Sequence, residues 1–290
     1  MPTTPTIAVK IDDTAPGRPQ VGIDKADIVY VEAVEGGLTR LAAIFGTYKP
    51  TVVGYVRSTR PSDPDLLLQF GKITEAYSGG AHDALPLVRA SGLTSWSNDA
   101  GAPYYARRSH PGDEGYINLA LNVAQVAKQT KSARAKSIGW TFNPSLAGLP
   151  ATPGLDMRTR VTGSYPHTSG TPVEFRWDAK LKAYVRYIDG VAQRAADGKV
   201  ITAKNVIVQQ CKVVSHPADT DVNGNPSQFT YTYGTGAVSV FRQGKRINGT
   251  WARPHLDSGT TLRTSAGKPL PLDPGNTWVI LVRSGQPVSA

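Results

Sequence analysis

Glu32, Glu35 and Arg40 lie close together in the chain, and Arg57, Ser58, Arg60 and Asp63 follow after one apolar stretch. These are the residue types that anion binding or acid–base chemistry needs. Arg57-Ser58-Thr59-Arg60 runs into Ser62-Asp63-Pro64-Asp65, a helix-start pattern with a cap residue, an early proline and early acids. Two guanidinium groups beside the free N–H groups of a helix start can hold a phosphate, a sulfate or a carboxylate. Glu35 and Glu32 are the candidate catalytic carboxylates, able to act as base or acid once burial tunes them. The same charges have a structural use. Arg57 and Arg60 paired with Glu32 and Glu35 would lock a hairpin to the next strand, because buried charges need partners. Residue types alone leave both readings open.

A third catalytic candidate is His82, which follows Ser78-Gly-Gly-Ala and precedes Asp83. A Ser–His pair there is conceivable, but the Gly-x-Ser-x-Gly elbow is absent. The five histidines (His82, His110, His167, His216 and His255) are scattered without metal-ligand spacing, so no zinc site is expected. Asp219-Thr-Asp221-Val-Asn223-Gly-Asn225 matches the first half of a calcium loop, but Thr230 stands where the closing glutamate belongs. A polar hairpin loop accounts for it, and no metal or cofactor is expected. Trp177, Trp251, Trp278, Tyr231 and Tyr233 would serve either as sheet core or as a stacking platform for sugars or bases.

Strands must position the charged residues. Apolar, β-branched and aromatic residues dominate 28–34, 38–46 and 52–56, and Gly36-Gly37 allows a tight turn between the first two. The geometry then predicts Glu35 and Arg57 on a common rim, with Val34 and Val56 facing the core. A helix is expected from Ser62 through Phe70, stopping at Gly71. A second is expected at 84–90, and the longest at 115–130, where Ile117, Leu121, Ala124 and Ala127 share a face. Residues 143–172 are rich in Pro, Gly, Ser and Thr and read as a connector. Beyond them the pattern is β throughout. The expected fold class is α+β: an N-terminal mixed α/β part with a central sheet, and a C-terminal mostly antiparallel β part. The expected division is 1–145, a connector at 146–172, and 173–290, with a separate hydrophobic core in each half.

The 290 residues carry a formal net charge of +10, with 29 Gly, 22 Pro and one cysteine, Cys211. One cysteine excludes an internal disulfide, and its apolar neighbours predict a buried, inert thiol. The basic balance favours anionic partners: a cell-envelope polymer, an anionic lipid surface or nucleic acid. No apolar run reaches the ~18–20 residues that a spanning helix needs. The start, Met1-Pro-Thr-Thr-Pro-Thr, looks like the linker stub of a trimmed, exported protein.

Several longer motifs resemble the bacterial YerB-type lipoproteins. They are Arg18-Pro-Gln, Ala26-Asp-Ile-Val-Tyr30, Val34-Glu-Gly-Gly-Leu-Thr-Arg40 and Val56-Arg-Ser-Thr-Arg-Pro-Ser-Asp63. In the C-terminal half they are Ala203-Lys-Asn-Val-Ile-Val-Gln209, Gly249-Thr-Trp-Ala-Arg253 and Pro274-Gly-Asn-Thr-Trp-Val279. The resemblance covers nearly the whole chain. It implies two fused regions and export to the cell surface on a lipid anchor that this chain does not contain. It supplies no reaction, because the family is a domain of unknown function. Where relatives usually show an Ala-Pro-His-Asn type sequence, this chain has His110-Pro-Gly-Asp113-Glu-Gly-Tyr-Ile-Asn118. The combined expectation is an exported, envelope-tethered protein binding an anionic or polyhydroxylated ligand at Glu32, Glu35, Arg57 and Arg60. A hydrolase of phosphodiester or glycan polymers is the enzymatic form of that reading. A non-catalytic surface module that recruits a partner and a nucleic-acid binder are its rivals.

Overall fold

The computed structural model describes residues 4–80, 82–113, 115–164 and 169–290. Met1–Thr3 of the expected linker stub, Glu114, His167 and part of the expected connector lie outside the described residues. The fold is mostly β, with 43% strand and 11% helix, so the α content expected of the first half is smaller than its sequence suggested. The longest expected helix is the clearest difference. Within 115–130, Leu119–Leu121 is a strand and only Val123–Gln129 is helical. Gly115 has a φ of 82°, which breaks a helix there, and Asn122 caps the real one by accepting from the Gln125 N–H at 3.0 Å.

The body is one 12-stranded sheet. Its middle is formed by β1 (Ile7–Asp12), β2 (Ile28–Ala33) and β3 (Thr39–Phe45), with β2 and β1 both antiparallel to β3. The expected tight turn joins β2 to β3. Glu35–Gly37 forms a single 3₁₀ turn, and Gly36 and Gly37 take φ values of 65° and 75° that side-chain-bearing residues rarely adopt. On one flank, β4 (Thr74–Tyr77) runs parallel to β1. On the other, Thr277–Arg283 runs parallel to β2 and also to Asn205–Thr220. The strands Gly234–Arg242 and Lys245–Arg253 then extend the sheet antiparallel.

The two halves therefore share their cores, and the expectation of separate cores does not hold. One cluster packs Val9, Val29 and Val31 with Val206, Val208 and Trp278, and a second packs Tyr30, Leu66 and Phe70 with Ile207, Trp251 and Val279. The period-2 alternation of strands produces this split, because odd and even residues of β1–β3 face opposite sides. Trp251 and Trp278, weighed as a stacking surface, are 1% exposed and belong to these cores.

After Arg57 the helix start forms where expected. Helix α1 (Asp63–Leu67) continues as a 3₁₀ turn over Leu68–Phe70 and ends at Gly71, whose φ is 85°. Ser62 precedes it but makes no capping bond of its own. Its hydroxyl is used elsewhere.

Candidate functional site

Strand register gathers charge at one end of the sheet. Asp12 of β1 is paired with Arg40 of β3, and Arg40 with Glu32 of β2. Lys10 lies two residues before Asp12 on the same face, and Glu75 of β4 joins that face through the pairing Ala8↔Glu75. The remainder of this face is apolar: Ala8, Tyr30, Ala42 and Ile44 pack beneath Leu66, Leu67 and Phe70. The segment 57–62 and the start of α1 close over the charged end.

The residues under that cover are sealed from water. Lys10 is 1% exposed, and Glu32, Asp63 and Glu75 are 0%. Lys10 Nζ donates to Glu32 Oε1 and, at 2.8 Å, to Asp63 Oδ1. The other Asp63 oxygen accepts the Arg60 N–H at 2.6 Å and the Thr59 hydroxyl at 3.1 Å. Thr59 Oγ1 also lies 2.6 Å from Glu75 Oε1, and the Ser62 hydroxyl reaches Glu32 Oε2 at 3.3 Å. Arg60 grips Glu35 side-on, with Nε at 2.8 Å and Nη2 at 2.6 Å from Oε2. The other Glu35 oxygen accepts from Ser227 at 2.9 Å, so the C-terminal half contributes to the same network. Arg40 Nη2 and Arg57 Nε both approach Asp12 Oδ2, at 3.5 and 3.3 Å.

Burial controls the protonation of this network. It lowers the Lys10 pKa, while the Asp63 charge opposes the shift. It pushes the Glu75 carboxyl up to about 8, reinforced by repulsion from Asp63. Burial also lowers Arg40, to about 10, against the attraction of Asp12. With Glu75 protonated, the cations Lys10, Arg40, Arg57 and Arg60 match the anions Asp12, Glu32, Glu35 and Asp63 charge for charge. Folded Glu75 keeps its proton at pH values where the unfolded chain has released it. Its contribution to stability is therefore full below about 4.5 and is lost as pH rises through about 8. Glu75→Gln, a permanently neutral isostere, is expected to remove that decline. Urea midpoints measured from pH 5 to 9 should fall less steeply in the variant than in the parent. An unchanged slope would mean that Glu75 is already ionised at neutral pH.

The structure thus brings Glu32, Glu35, Arg40, Arg60 and Asp63 together. It corrects the expected rim of Glu35 and Arg57. Glu35 is 4% exposed and held by Arg60, whereas Arg57 turns to Asp12. Ser58 supplies a carbonyl to Arg60 Nη1 at 3.3 Å. His82 is exposed, with its ring 3.2 Å from Asp83, and the Ser78 hydroxyl donates to Asp99 instead. His110 stacks on Tyr55 at 3.8 Å, and Asn118 bonds Asp113 and Arg107. In the calcium-like loop the Asp221 carboxylate accepts from the N–H groups of Asn223 and Asn225. Burial pushes the Cys211 thiol up to about 12, in keeping with an inert side chain.

Sequence reasoning missed Lys10, Asp12, Glu75 and Ser227, and passed over Thr59 and Ser62. A signal existed for the first two. Lys10 and Asp12 alternate with apolar residues in Ile7–Asp12, so they fall on one face of a strand that is buried throughout. Ser227 offered none, being far from Glu35 in the chain.

Residues 1–136 match the N-terminal domain, and residues 161–279 the C-terminal domain, of a family described as "Protein of unknown function (DUF3048)". The chain belongs to the DUF3048 family. It is 28% identical over 280 residues to the Bacillus subtilis (strain 168) protein named "Putative lipoprotein YerB", covering 95% of this chain and 80% of that protein. The crystal structure of YerB from Bacillus subtilis superposes with a TM-score of 0.78 at 23% identity, covering 99% of this chain and 94% of that one. The DUF3048 fold described above is therefore shared with YerB. The matched regions stop at 136 and resume at 161, which lies inside the expected connector of 146–172.

Proposed function

We propose that this DUF3048 protein is exported, is tethered at the cell surface, and binds an anionic group of a cell-envelope polymer at the open edge of the charged network. The name of its Bacillus relative supports the location. The binding reading rests on one observation: Arg40 and Arg57 converge on the single carboxylate of Asp12. Two cations share one anion there, and the Arg57 side chain is 26% exposed, the most open of the charged groups in the network. An anion arriving from solvent meets a partly exposed guanidinium whose carboxylate partner is shared with Arg40, next to the Tyr116 ring 5.6 Å away. Binding is preferred to hydrolysis because Glu32 and Glu35, the candidate acid and base, are sealed by their own partners.

Thermal unfolding with added inorganic phosphate or sulfate tests this reading. The parent protein is expected to gain in Tm as either anion is added. Arg57→Ala should lose that gain while its anion-free Tm stays within a few degrees of the parent's. The reading fails if Arg57→Ala keeps the anion response. It also fails if the variant loses on the order of 3–5 kcal/mol without any anion, which is the signature of a purely structural lock.

A further inference from the structure

A polar cavity lies where the antiparallel strands Thr171–Asp178 and Ala183–Ile188 meet the N-terminal half. It encloses about 230 Å³, and its polar side carries Thr14, Thr39, Arg18 and Arg186 together with the carboxylates of Asp13, Glu174 and Asp189. Leu38, Tyr187 and Ile188 form its apolar side. The Arg57 edge is not part of it.

Arg186 is the unusual residue here. It comes from the strand Ala183–Ile188 and is 1% exposed. Its Nη2 donates to Asp13 Oδ2 at 2.8 Å, and its guanidinium lies 4.9 Å from the centre of the Trp278 ring. Among the described residues its Nε and Nη1 are buried with no hydrogen-bond partner. Among the same residues the Nε of Arg18, in the same wall, is also buried and unpartnered, while its Nη2 donates to the Asp13 carbonyl. Asp13 cannot supply what is missing. Its Oδ2 already accepts from Thr39 and Arg186, and its Oδ1 faces Gln20. Glu174 at the rim is held by Arg158 and Arg176. Two guanidiniums thus share one buried carboxylate. Leaving such donors unmade is costly, and a charge-assisted partner would satisfy them.

We propose that this cavity is a binding site for a small organic carboxylate. The anionic group would meet Arg18 and Arg186, and the short apolar body would lie against Leu38 and Ile188. The volume exceeds that of a bare inorganic anion, and one wall is apolar, so the site selects an acid with a carbon skeleton. Asp189, near enough to Arg18 to act on its charge, limits the site to one negative group.

Butyrate and its neutral counterpart butyramide are the probes, titrated into the full chain and followed by thermal unfolding and isothermal calorimetry. Butyrate is expected to raise Tm in a saturable way and butyramide to leave it unchanged. Arg18→Gln should weaken the butyrate response at least tenfold. Leu38→Trp, at a position 46% exposed, should block the cavity without altering any charge, and Arg57→Ala should leave the response intact. No butyrate response in the parent, an equal response to butyramide, or a response retained in both Arg18→Gln and Leu38→Trp would each overturn the assignment. Loss of the response in Arg57→Ala alone would move the binding to the other edge and overturn it too.

Discussion

Lys10→Met is expected to lose about 3–5 kcal/mol of stability at neutral pH, the range found when one partner of a buried ion pair is removed. Methionine keeps most of the side-chain length and packs well, so lost volume contributes little. What changes is charge. Lys10 is the cation between Glu32 and Asp63, and Glu75 lies on the same face of the sheet. Without it, carboxylates that are 0% exposed face each other across a dry site. The variant should therefore recover stability as pH falls, because its remaining acids hold protons more tightly in the folded state than in the unfolded one. Urea unfolding at pH 7 and pH 5 measures both effects. Adding Glu32→Gln to Lys10→Met should restore part of the loss at pH 7. A loss below about 1 kcal/mol would show that the network is not held by Lys10.

The charged end of the sheet was legible in part, and the reason is local. Glu32, Glu35 and Arg40 sit in one hairpin, and a hairpin can be read from its double glycine and its alternating strands. Arg60 and Asp63 were legible because a helix start has its own residue pattern. The pairing of those charges was not legible. Whether Glu35 meets Arg57 or Arg60 depends on how the segment 57–62 crosses the ends of β1 and β4, and no local rule gives that. Glu75 was hidden for the same reason. A lone glutamate in a four-residue strand reads as a solvent-facing residue until a parallel neighbour places it beside Lys10. The fold shows the same boundary. The β character of the C-terminal half was legible, but the strand Asp156–Val161 lies inside the expected connector, and the parallel pairing of Thr277–Arg283 with β2 joins residues too distant for periodicity to register. That pairing merged what the sequence presented as two cores.

A chain ending at Asp273 is expected to have no cooperative folded state. The removed strand, Thr277–Arg283, lies inside the sheet, hydrogen-bonded to Asn205–Thr220 on one side and to β2 on the other. Trp278, Val279, Ile280, Leu281 and Val282 are all nearly fully buried. Each such side chain is worth about 1.5–3 kcal/mol on burial, and together they match the roughly 5–15 kcal/mol by which a domain is stable. Truncation would also leave two open strand edges in the middle of the molecule, which invites self-association. Circular dichroism melting and size-exclusion chromatography test this. A monomeric truncated chain that melts cooperatively near the Tm of the full chain would show that the sheet does not depend on this strand.

The position of that strand also sets a timetable. Ile28 of β2 pairs with Thr277, and a ribosome adds about 5–20 residues per second. The N-terminal hairpin therefore emerges roughly 12–50 s before the segment that must lie against it. In that interval β2 has an unpaired apolar edge, and the cores that span both halves cannot close. Contacts this distant in the chain also make the final closure slow. The sheet of a newly made chain therefore stays unsealed for a period set by translation itself, with the edge of β2 open until the last strand arrives.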